Sequence, residues 1–450
     1  MEAFKLSTEF VDEVIAHIES GQEELVRPLI EDLYPQDIAE LFDSLNLEQA
    51  VFITSLLSTD RKIEVLAELE PEVQVKFFEG FSRKEIALEF IQYMDSDDAV
   101  DVLSVLSTEV ATDILSHLPD KNESLYLTRL LHYPDDTAGG LMGREMIKVN
   151  IDWTVAQCTE EIRKQAEDVT RVLTVYVVNE GNKLLGWVSL KKIILARANS
   201  KVSEIYEENV IHANVNATGE EIASTMQKYD LIAMPIVDSF NRLLGRVTID
   251  DVVDFIKEEA DKDYQMLSGI SQSVEMKDRV WVLSKARLPW LIIGLFGGVM
   301  SSLVIGQFDA QLQENVQLAL FMPLIMAMAG NIGVQSSSII VQGLANNTIS
   351  SDSVFGKLGK ELMVAVINGL VCSGLLLSYG AISGHPSAIM STVSIALMSV
   401  ILIAAVIGTT VPLILDKFNV DPALATGPFI TTSNDLIGLF LYFVIGKMLL

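Results

Sequence analysis

The sequence predicts a multidomain membrane protein in which an N-terminal all-α superhelical domain and two small α/β modules precede five transmembrane helices. Three observations indicate this architecture: short amphipathic helices near the N-terminus, an internal repeat at a constant offset of 59 residues, and long uncharged apolar segments near the C-terminus. We expect five regions in the 450 residues: an acidic helical domain (1–133), two α/β modules (134–198 and 199–256), an acidic connecting helix (257–284) and a transmembrane domain (285–450).

Charge separates the soluble part of the chain from the membrane part. Of the 61 acidic and 32 basic residues, 54 and 27 precede Arg287, so the first part has a net charge near −27. Such a surface repels nucleic acid and attracts divalent cations, and we expect no nucleic-acid partner. A solvated, solubilising surface is the alternative explanation. Cys158 and Cys372 lie in different regions and predict no disulfide framework, and no cleaved signal peptide is evident.

Short amphipathic helices are predicted in the acidic N-terminal domain, for example over residues 37–45, 60–69 and 97–106. They recur about every dozen residues and are separated by Pro, Asp or Ser-Thr caps, which is typical of a compact helical superhelix. A group of four aspartates in this domain is expected to face carboxylates of the α/β modules, although helix N-capping is an equal explanation for Asp97. These aspartates are Asp95, Asp97, Asp98 and Asp101.

The internal repeat matches residues 176–190 to residues 235–249, and each copy reads as strand, polar turn, strand and helix. Helical apolar spacing over 155–164 and 219–228 completes each module. The copies differ where the last helix begins, because Lys191-Lys192 is replaced by acidic residues. Seven carboxylates in fourteen residues repel one another unless cations screen them. They are Asp250, Asp251, Asp254, Glu258, Glu259, Asp261 and Asp263.

Five membrane spans are predicted from the uncharged runs. The first covers 288–306, the second lies within 315–351, the run 362–415 holds two helices broken at 383–386, and the fifth contains Asp435. An odd number of spans places the two termini on opposite sides. The positive-inside rule places the N-terminal part in the cytoplasm and the C-terminus outside a cell (inner) membrane. The basic residues on the cytoplasmic side are Lys285, Arg287, Lys357, Lys360 and Lys417, whereas Lys447 lies on the other side.

Asp435 is the only ionised side chain between Pro422 and Gly446. It lies about 20 Å along this helix, near the bilayer midplane. Burying a carboxylate there costs about 2.5 to 3.5 kcal/mol, so it needs water, a cation or a partner helix. A passing cation is one explanation, and a structural carboxylate bonded to a neighbouring hydroxyl is the other.

Polar residues recur at helical spacing in two of the spans. Thr431 and Thr432 share a helix face with Asp435, and a second stripe lies in the second span, with separations of four, three and four residues. Neutral oxygens of this kind can bind the waters of a hydrated cation, whereas interhelical hydrogen bonding is the competing explanation. A homodimer would place two carboxylates about one axis. The second stripe consists of Asn331, Gln335, Ser338 and Gln342.

Three stretches carry a resemblance over nearly the whole chain: DTAGGLM at 136–142, GNIGVQS at 330–336, and residues 421–435 with DPA, GPFITT and Asp435. Together with the domain order, they resemble the MgtE family of magnesium channels, and the repeat resembles a tandem pair of CBS modules. The chain departs from the family pattern at Lys262, where a relative is acidic, and at Ala329, which replaces a glycine.

This resemblance implies a homodimer in the lipid membrane, with a pore lined by the second and fifth spans and Mg²⁺ at Asp435. It also implies that Mg²⁺ held between cytosolic carboxylates closes the channel. The candidate ligands of that sensor are Asp97, Asp98, Asp230, Asp251, Asp254, Glu259 and Asp263.

We therefore expect a Mg²⁺-selective channel for magnesium uptake that cytosolic Mg²⁺ closes. Because Mg²⁺ sheds water reluctantly, Asp435 is expected to contact the ion through its hydration shell. One alternative is a secondary exchanger, since Asp435 could also carry a proton. Another is control by adenine nucleotide, because CBS clefts often bind adenosine, which makes ATP a candidate ligand. The chain lacks GxxxxGK[ST], HExxH and nucleophile-elbow motifs, so we do not expect an enzyme.

Overall fold

The computed structural model describes residues 6–167, 169, 172–272, 274, 279–345, 354–418, 420–425 and 427–450. The chain forms two compact units, Met1–Ile256 and Lys257–Leu450.

The N-terminal part of the first unit is all α-helix, as predicted. Side-chain caps start several of its helices: Asn46 and Gln49 form a capping box, and Ser82 forms another with Glu85. A π-helical turn, Ile86–Phe90, and a 3₁₀ turn, Ile91–Tyr93, interrupt the series. The helices are α1 Thr8–Glu19, α2 Glu23–Glu31, α3 Pro35–Phe42, α4 Leu47–Leu56, α5 Thr59–Ala67, α6 Pro71–Phe78, α7 Arg83–Glu85, α8 Ser96–Ser104, α9 Thr108–Ser116 and α10 Lys121–Leu130.

The two α/β modules follow, each with a three-stranded sheet. In each sheet the first pair of strands is parallel and the second is antiparallel, with strand orders β1-β2-β3 and β4-β5-β6. The first module contains β1 Ile147–Asn150, α11 Val155–Gln165, β2 Val175–Val178, β3 Leu184–Val188 and α12 Leu190–Leu195. The second contains β4 Ala213–Asn214, α13 Gly219–Tyr229, β5 Ala233–Val237, β6 Leu243–Thr248 and the start of α14 Ile249–Leu267.

Matching asparagines join the two modules at the hairpin turns. Asn182 and Asn241 occupy equivalent repeat positions and have φ values of 59° and 62°, a conformation that Asn tolerates better than most residues. The side chain of Asn182 donates to the Leu243 carbonyl at 2.6 Å, and that of Asn241 donates to the Leu184 carbonyl at 3.0 Å. The sequence repeat therefore becomes an approximate two-fold relation between the modules.

The DTAGGLM stretch pairs with the second module, although in the sequence it lies just before β1 of the first module. The Ala138 N–H donates to the Ala217 carbonyl at 2.8 Å, and Gly143 and Arg246 exchange backbone hydrogen bonds of 2.9 Å. A Cβ atom on Gly140 would lie 2.5 Å from the Pro134 carbonyl oxygen, so this tight turn requires glycine. The N-terminal helices and the second module consequently share one hydrophobic core.

The connecting helix differs from the prediction of a continuous helix over 257–284. Helix α14 begins earlier, at Ile249, and ends at Leu267. The chain turns at Gly269, whose φ of +78° favours glycine, and the Ile270 N–H donates back to the Gln265 carbonyl at 2.9 Å. The predicted range also includes residues 273 and 275–278, which lie outside the described residues.

The second unit contains five helices that are long and apolar enough to cross a membrane, which confirms the predicted number of spans. The break predicted at 383–386 lies between Ser383 and Ser387, with Gly384 at a φ of +74°. The predicted end of the second span, at 346–351, lies outside the described residues. The helices are α15 Val280–Gln307, the short α16 Asp309–Glu314, α17 Gln317–Ala345, α18 Val354–Ser383, α19 Ser387–Lys417 and α20 Pro428–Leu449, with a 3₁₀ turn at Pro422–Ala425.

Candidate functional site

Asp435 lies on the side of α20 that packs against α17. A Cβ atom on Gly330 of α17 would lie 3.2 Å from Asp435 Oδ1 and 3.0 Å from the methyl group of Thr431. Glycine at 330 therefore leaves the space that the carboxylate occupies. The Oδ1 atom is buried and has no hydrogen-bond partner among the described residues. The structure thus places the fifth-span carboxylate against the second span, with one oxygen unpaired.

The two threonines of the predicted fifth-span stripe separate in the structure. Thr431 lies beside Asp435, and its hydroxyl donates to the Gly427 carbonyl at 3.2 Å. Thr432 faces α15, where its methyl group would be only 1.8 Å from a Cβ atom on Gly297. Helices α17 and α15 pack on adjacent sides of α20. Thr431 and Thr432 share a broad face of α20, as the sequence predicts, but they therefore contact different helices.

The polar stripe of α17 lies at the surface of the protomer. Asn331 and Gln335 are exposed and Ser338 is half-buried, whereas the neighbouring Ser336 and Ser337 are buried on the opposite side of the helix. Gln342 continues the exposed stripe toward the end of the helix. The predicted stripe is therefore accessible to water or to a second subunit.

Sequence reasoning missed Asn434, which packs between α20 and α17. This side chain is 2% exposed, and a Cβ atom on Gly333 would lie 1.8 Å from its Nδ2 atom. Nδ2 has no hydrogen-bond partner among the described residues. An Asn adjacent to the membrane carboxylate, and glycines three residues apart at 330 and 333, are the sequence signals that could have indicated this contact.

Sequence reasoning also missed Glu361 of α18. The Ser336 hydroxyl donates to Glu361 Oε1 at 2.6 Å. The uncharged run 362–415 begins immediately after this carboxylate, so the sequence alone indicates only that Glu361 precedes the run. The helix begins at Val354, which places the carboxylate about two turns inside it.

A second group of carboxylates lies in the first unit. Asp97 and Asp98 occupy the first turn of α8, and Asp251 occupies the first turn of α14. A Cβ atom on Gly143 would lie 2.6 Å from Asp97 Oδ2 and 3.2 Å from Glu145 Oε2, so glycine makes room for both side chains. We call Asp97, Asp98, Glu145 and Asp251 the acidic cluster.

Hydrogen bonds hold two members of the acidic cluster in place. Asp251 Oδ2 accepts from the backbone N–H of Thr248 at 3.0 Å and from the Thr248 hydroxyl. Glu145 Oε2 accepts from the Ser96 hydroxyl at 2.8 Å, and that hydroxyl accepts from the Arg144 N–H at 2.8 Å. Glu145 and Ser96 had not been predicted, because the contacts join residues about fifty positions apart.

Burial and mutual repulsion raise the pKa values of three aspartates of the acidic cluster, Asp97, Asp98 and Asp251. Burial, followed by repulsion from Asp251 and Asp98, raises the pKa of Asp97 well above its ordinary value. Burial, with repulsion from Asp95 and Asp101, raises the pKa of Asp98 to about 7. Burial also raises the pKa of Asp251, against the hydrogen bonds from Thr248. A divalent cation beside these groups would relieve this repulsion.

The other predicted sensor carboxylates have different surroundings. Asp230 ends α13 in a left-handed conformation, with a φ of 50°, and it is exposed, as is Asp254. Glu259 pairs with Lys262 at 2.9 Å, and Asp263 is half-buried. Within the described ranges, no group of three or more His, Cys, Asp or Glu side chains is close enough to hold a metal ion directly.

Comparison with known families matches most of the chain. The family described as divalent cation transporter matches residues 322–445, the MgtE intracellular N domain matches 33–136, and the CBS domain matches 138–199 and 202–258. A magnesium transporter MgtE of Bacillus subtilis is 31% identical over 438 residues, which cover 97% of each chain. The chain belongs to the MgtE family of magnesium transporters. The resemblance drawn from the sequence is thereby confirmed.

A second MgtE relative also matches nearly the whole chain, and two solved structures match its soluble part. The magnesium transporter MgtE of Thermus thermophilus is 30% identical over 441 residues, covering 96% of this chain and 97% of that one. The crystal structure of the soluble part of a magnesium transporter superposes with a TM-score of 0.51 at 28% identity, covering 56% of this chain and 98% of that chain. A cytosolic domain of the Mg²⁺ channel MgtE in complex with ATP gives 0.51 at 29% identity, with 54% and 99% coverage.

These matches, with the five apolar helices, establish a multi-pass membrane protein of a magnesium transporter family. The MgtE relatives are named as transporters, in keeping with a function other than catalysis.

Proposed function

We propose that this MgtE protein is a Mg²⁺-selective channel that mediates magnesium uptake down its electrochemical gradient, with Asp435 as the pore carboxylate. The observation that carries the proposal is the buried, unpaired Oδ1 atom of Asp435, which lies against Gly330 in the membrane domain. An unpaired anion at membrane depth is costly, and a passing divalent cation compensates it.

Asp435 acts on the hydrated ion. Mg²⁺ keeps most of its six waters because it dehydrates reluctantly. The side-chain oxygens of the exposed Asn331 and Gln335 and of the half-buried Ser338 on α17 accept hydrogen bonds from those waters, with Thr431 beside the carboxylate. Selectivity then follows from the fit to the octahedral hydrate, which is smaller and more rigid than that of Ca²⁺.

The functional unit is a homodimer, with the N-terminal unit in the cytoplasm and the C-terminus outside. The exposed polar face of α17 supports this proposal, because polar side chains do not remain against hydrocarbon when a second subunit and water can cover them. A two-fold axis beside α17 would place two Asp435 carboxylates around one path and balance a divalent charge.

Cytosolic Mg²⁺ closes the channel by binding among carboxylates of the N-terminal domain, the CBS modules and α14. The acidic cluster, with Asp97, Asp98 and Asp251, supports one such site, since burial, together with repulsion from neighbouring carboxylates, raises the pKa of each of these three groups. Bound Mg²⁺ favours the compact arrangement, because a ligand shifts an equilibrium by its differential affinity for the two states. Asp230, Asp254, Glu259 and Asp263 supply further ligands of the same sensor.

Helix α14 transmits the change between the Mg²⁺-free and the compact, Mg²⁺-bound arrangement to the membrane domain. Its end lies against the start of the fifth span: a Cβ atom on Gly427 would lie 2.7 Å from the Leu267 carbonyl oxygen, and one on Gly269 would lie 2.7 Å from the Pro428 ring. Because Asp435 is two turns further along the same helix, displacement of the α14 end moves the pore carboxylate.

ATP is a second regulatory ligand, which binds at the CBS modules and modulates the response to Mg²⁺. The related cytosolic domain solved in complex with ATP supports this proposal. Isothermal titration of ATP into residues 1–267, with and without Mg²⁺, tests it. Binding with a dissociation constant in the millimolar range or below is expected, and a null titration in both conditions would exclude nucleotide control.

Mg²⁺ uptake into proteoliposomes tests the pore assignment. We expect Asp435→Asn to reduce uptake at least about tenfold, because it removes the charge that compensates the ion. Asp421→Asn is the matched control, since the exposed Asp421 caps the turn before α20 by accepting from the Ala423 N–H at 2.8 Å. Unchanged uptake by the Asp435 variant would refute the proposal.

Uptake that requires an opposing Na⁺ or H⁺ gradient would identify an exchanger instead of a channel. Uptake of Mg²⁺ in the presence of competing Ca²⁺, Co²⁺ or Mn²⁺ measures the selectivity.

A further inference from the structure

The middle of α17 is packed closely on the side away from its polar stripe. A Cβ atom on Gly408 of α19 would lie 2.5 Å from the Gly333 carbonyl oxygen and 3.1 Å from Ser336 Cβ. Gly333 also receives the Asn434 side chain from α20. These contacts fix how closely α17 approaches two neighbouring helices.

A polar bond ties the same stretch to a third helix. Ser336 is 2% exposed, and its hydroxyl donates to Glu361 Oε1 of α18 at 2.6 Å. A short hydrogen bond to a carboxylate is about twice as strong as a neutral one and is directional. Ser336 directly follows Gln335 and lies five residues after Asn331, so its orientation sets the orientation of the polar stripe.

The outer end of α17 is held by a different bond. The Tyr442 hydroxyl of α20 donates to the Leu318 carbonyl at 2.9 Å, in the first turn of α17. The helix is thus bonded to α20 at one end and to α18 nearer the other. Loss of the bond to Glu361 would remove a polar contact that holds the segment with Asn331 and Gln335 against α18.

We propose that Glu361 is a positioning residue for ion selection, which acts through Ser336 to hold the polar stripe of α17 in register with Asp435. This inference rests on the proposed channel function. Glu361 does not touch the ion; it sets the angle at which the stripe and the carboxylate meet the hydrated cation. The amide of a glutamine could accept the same hydrogen bond, so the role requires an acceptor at this position and does not require its charge.

The test uses the full chain in proteoliposomes, with Mg²⁺ uptake measured over a range of concentrations and with competing Ca²⁺. The variants are Glu361→Ala, Glu361→Gln, Ser336→Ala and the double variant Glu361→Ala/Ser336→Ala. Ser373→Ala is the matched control, because the Ser373 hydroxyl donates to the Ser394 carbonyl at 2.9 Å and bonds α18 to α19 without contact with the α17 stripe.

We expect Glu361→Ala and Ser336→Ala each to lower the preference for Mg²⁺ over Ca²⁺ about tenfold, which corresponds to about 1.4 kcal/mol. The double variant should be no worse than either single variant, because both remove the same bond. Glu361→Gln should retain most of the wild-type selectivity, and Ser373→Ala should match wild type. A general loss of packing would instead lower uptake of both ions together and leave their ratio unchanged.

Two results would overturn the inference. If Glu361→Gln is as defective as Glu361→Ala, the charge matters and the positioning role is wrong. If Ser336→Ala keeps the selectivity of Ser373→Ala, the bond has no role in selection. Should Glu361→Ala fail to assemble, as judged by gel filtration, Glu361→Gln and Ser336→Ala still decide between these outcomes.

Failure of this inference can be distinguished from failure of the proposed channel. If Asp435→Asn abolishes uptake while the Glu361 and Ser336 variants behave like the control, only the positioning role is refuted. If Asp435→Asn leaves uptake unchanged, the pore assignment itself is wrong.

Discussion

At the scale of single residues, the contact between α17 and α20 depends on glycines that make room for polar side chains. Gly330 accommodates Asp435, and Gly333 accommodates Asn434. Burying polar groups inside a membrane costs free energy, and here the adjacent side chains of Asn434 and Asp435 point into the same helix interface. The glycines therefore determine where the carboxylate lies as much as the position of Asp435 in the sequence does.

We predict that Gly333→Ala destabilises the membrane domain by about 1 to 3 kcal/mol, because its new methyl group would overlap the Asn434 amide. Thermal unfolding of the detergent-solubilised chain measures the effect. Gly298→Ala on α15 is the control, since a Cβ atom there would meet nothing within 4 Å. Combination with Asn434→Ala should restore most of the lost stability, and equal destabilisation by both glycine variants would contradict the packing account.

The acidic cluster predicts a pH dependence of stability. The pKa of Asp98 is raised to about 7 in the folded protein, from an ordinary value of 3.8. A folded-state pKa above the unfolded one contributes stability below the unfolded value, and this stability is lost as pH rises through about 7. Residues 1–267 without divalent cations should therefore unfold at a lower temperature at pH 8 than at pH 6.

Two comparisons test the origin of that pH effect. Mg²⁺ should raise the unfolding temperature more at pH 8 than at pH 6, and Asp98→Asn should reduce the difference between the two pH values. In Asp238, desolvation is outweighed by hydrogen bonds from Arg242, so its pKa is lowered and it stays ionised throughout this range. Asp238→Asn should leave the pH difference unchanged, and an Asp98 variant with the wild-type pH difference would exclude the cluster as its source.

At the scale of secondary-structure elements, local signals placed most helices correctly. The helices predicted at 37–45, 60–69 and 97–106 correspond to α3, α5 and α8. Caps and apolar periodicity are properties of neighbouring residues, so they can be read without knowledge of the fold. The connecting segment differed because α14 ends at Leu267 and the chain turns at Gly269, within the range 257–284 predicted for the connecting helix.

We predict that Gly269→Ala impairs closure by cytosolic Mg²⁺ more than it impairs uptake itself. The substitution strains a turn with a φ of +78° and pushes the end of α14 against Pro428. Gly384→Ala is the matched control, because Gly384 has a similar φ of +74° but meets nothing within 4 Å. The measurement is uptake as a function of Mg²⁺ on the cytosolic side, and equal behaviour of the two variants would argue against coupling through Pro428.

At the scale of the whole molecule, the two groups of candidate carboxylates lie in different parts of the chain. The strongly acidic first part carries the cluster of Asp97, Asp98, Glu145 and Asp251, and the membrane part carries Asp435. Helix α14 begins in the second CBS module and ends beside Pro428 in the second unit. In the proposed mechanism, α14 is the element that carries a change at the carboxylates to the membrane domain.

Neutralising Asp251 and Asp254 together, with Asn, should leave uptake intact and raise the cytosolic Mg²⁺ needed for closure about tenfold. Asn at 251 can still accept the hydrogen bonds from Thr248, so the helix start is preserved. Uptake measured at increasing cytosolic Mg²⁺ gives the result. Glu220→Gln, an exposed carboxylate in the first turn of α13, is the control. Closure at the wild-type concentration would remove both aspartates from the sensor.

The sequence by itself determined the domain order, the repeated CBS modules, the five spans and the isolated position of Asp435 in an apolar segment. Charge, periodicity and repetition depend only on the order of the residues. Only the tertiary structure decided that Thr432 faces α15, that DTAGGLM pairs with the second module, and that Ser336 bonds Glu361. These facts depend on which distant segments meet. A helical period specifies a face of a helix, and packing alone specifies the neighbour of that face.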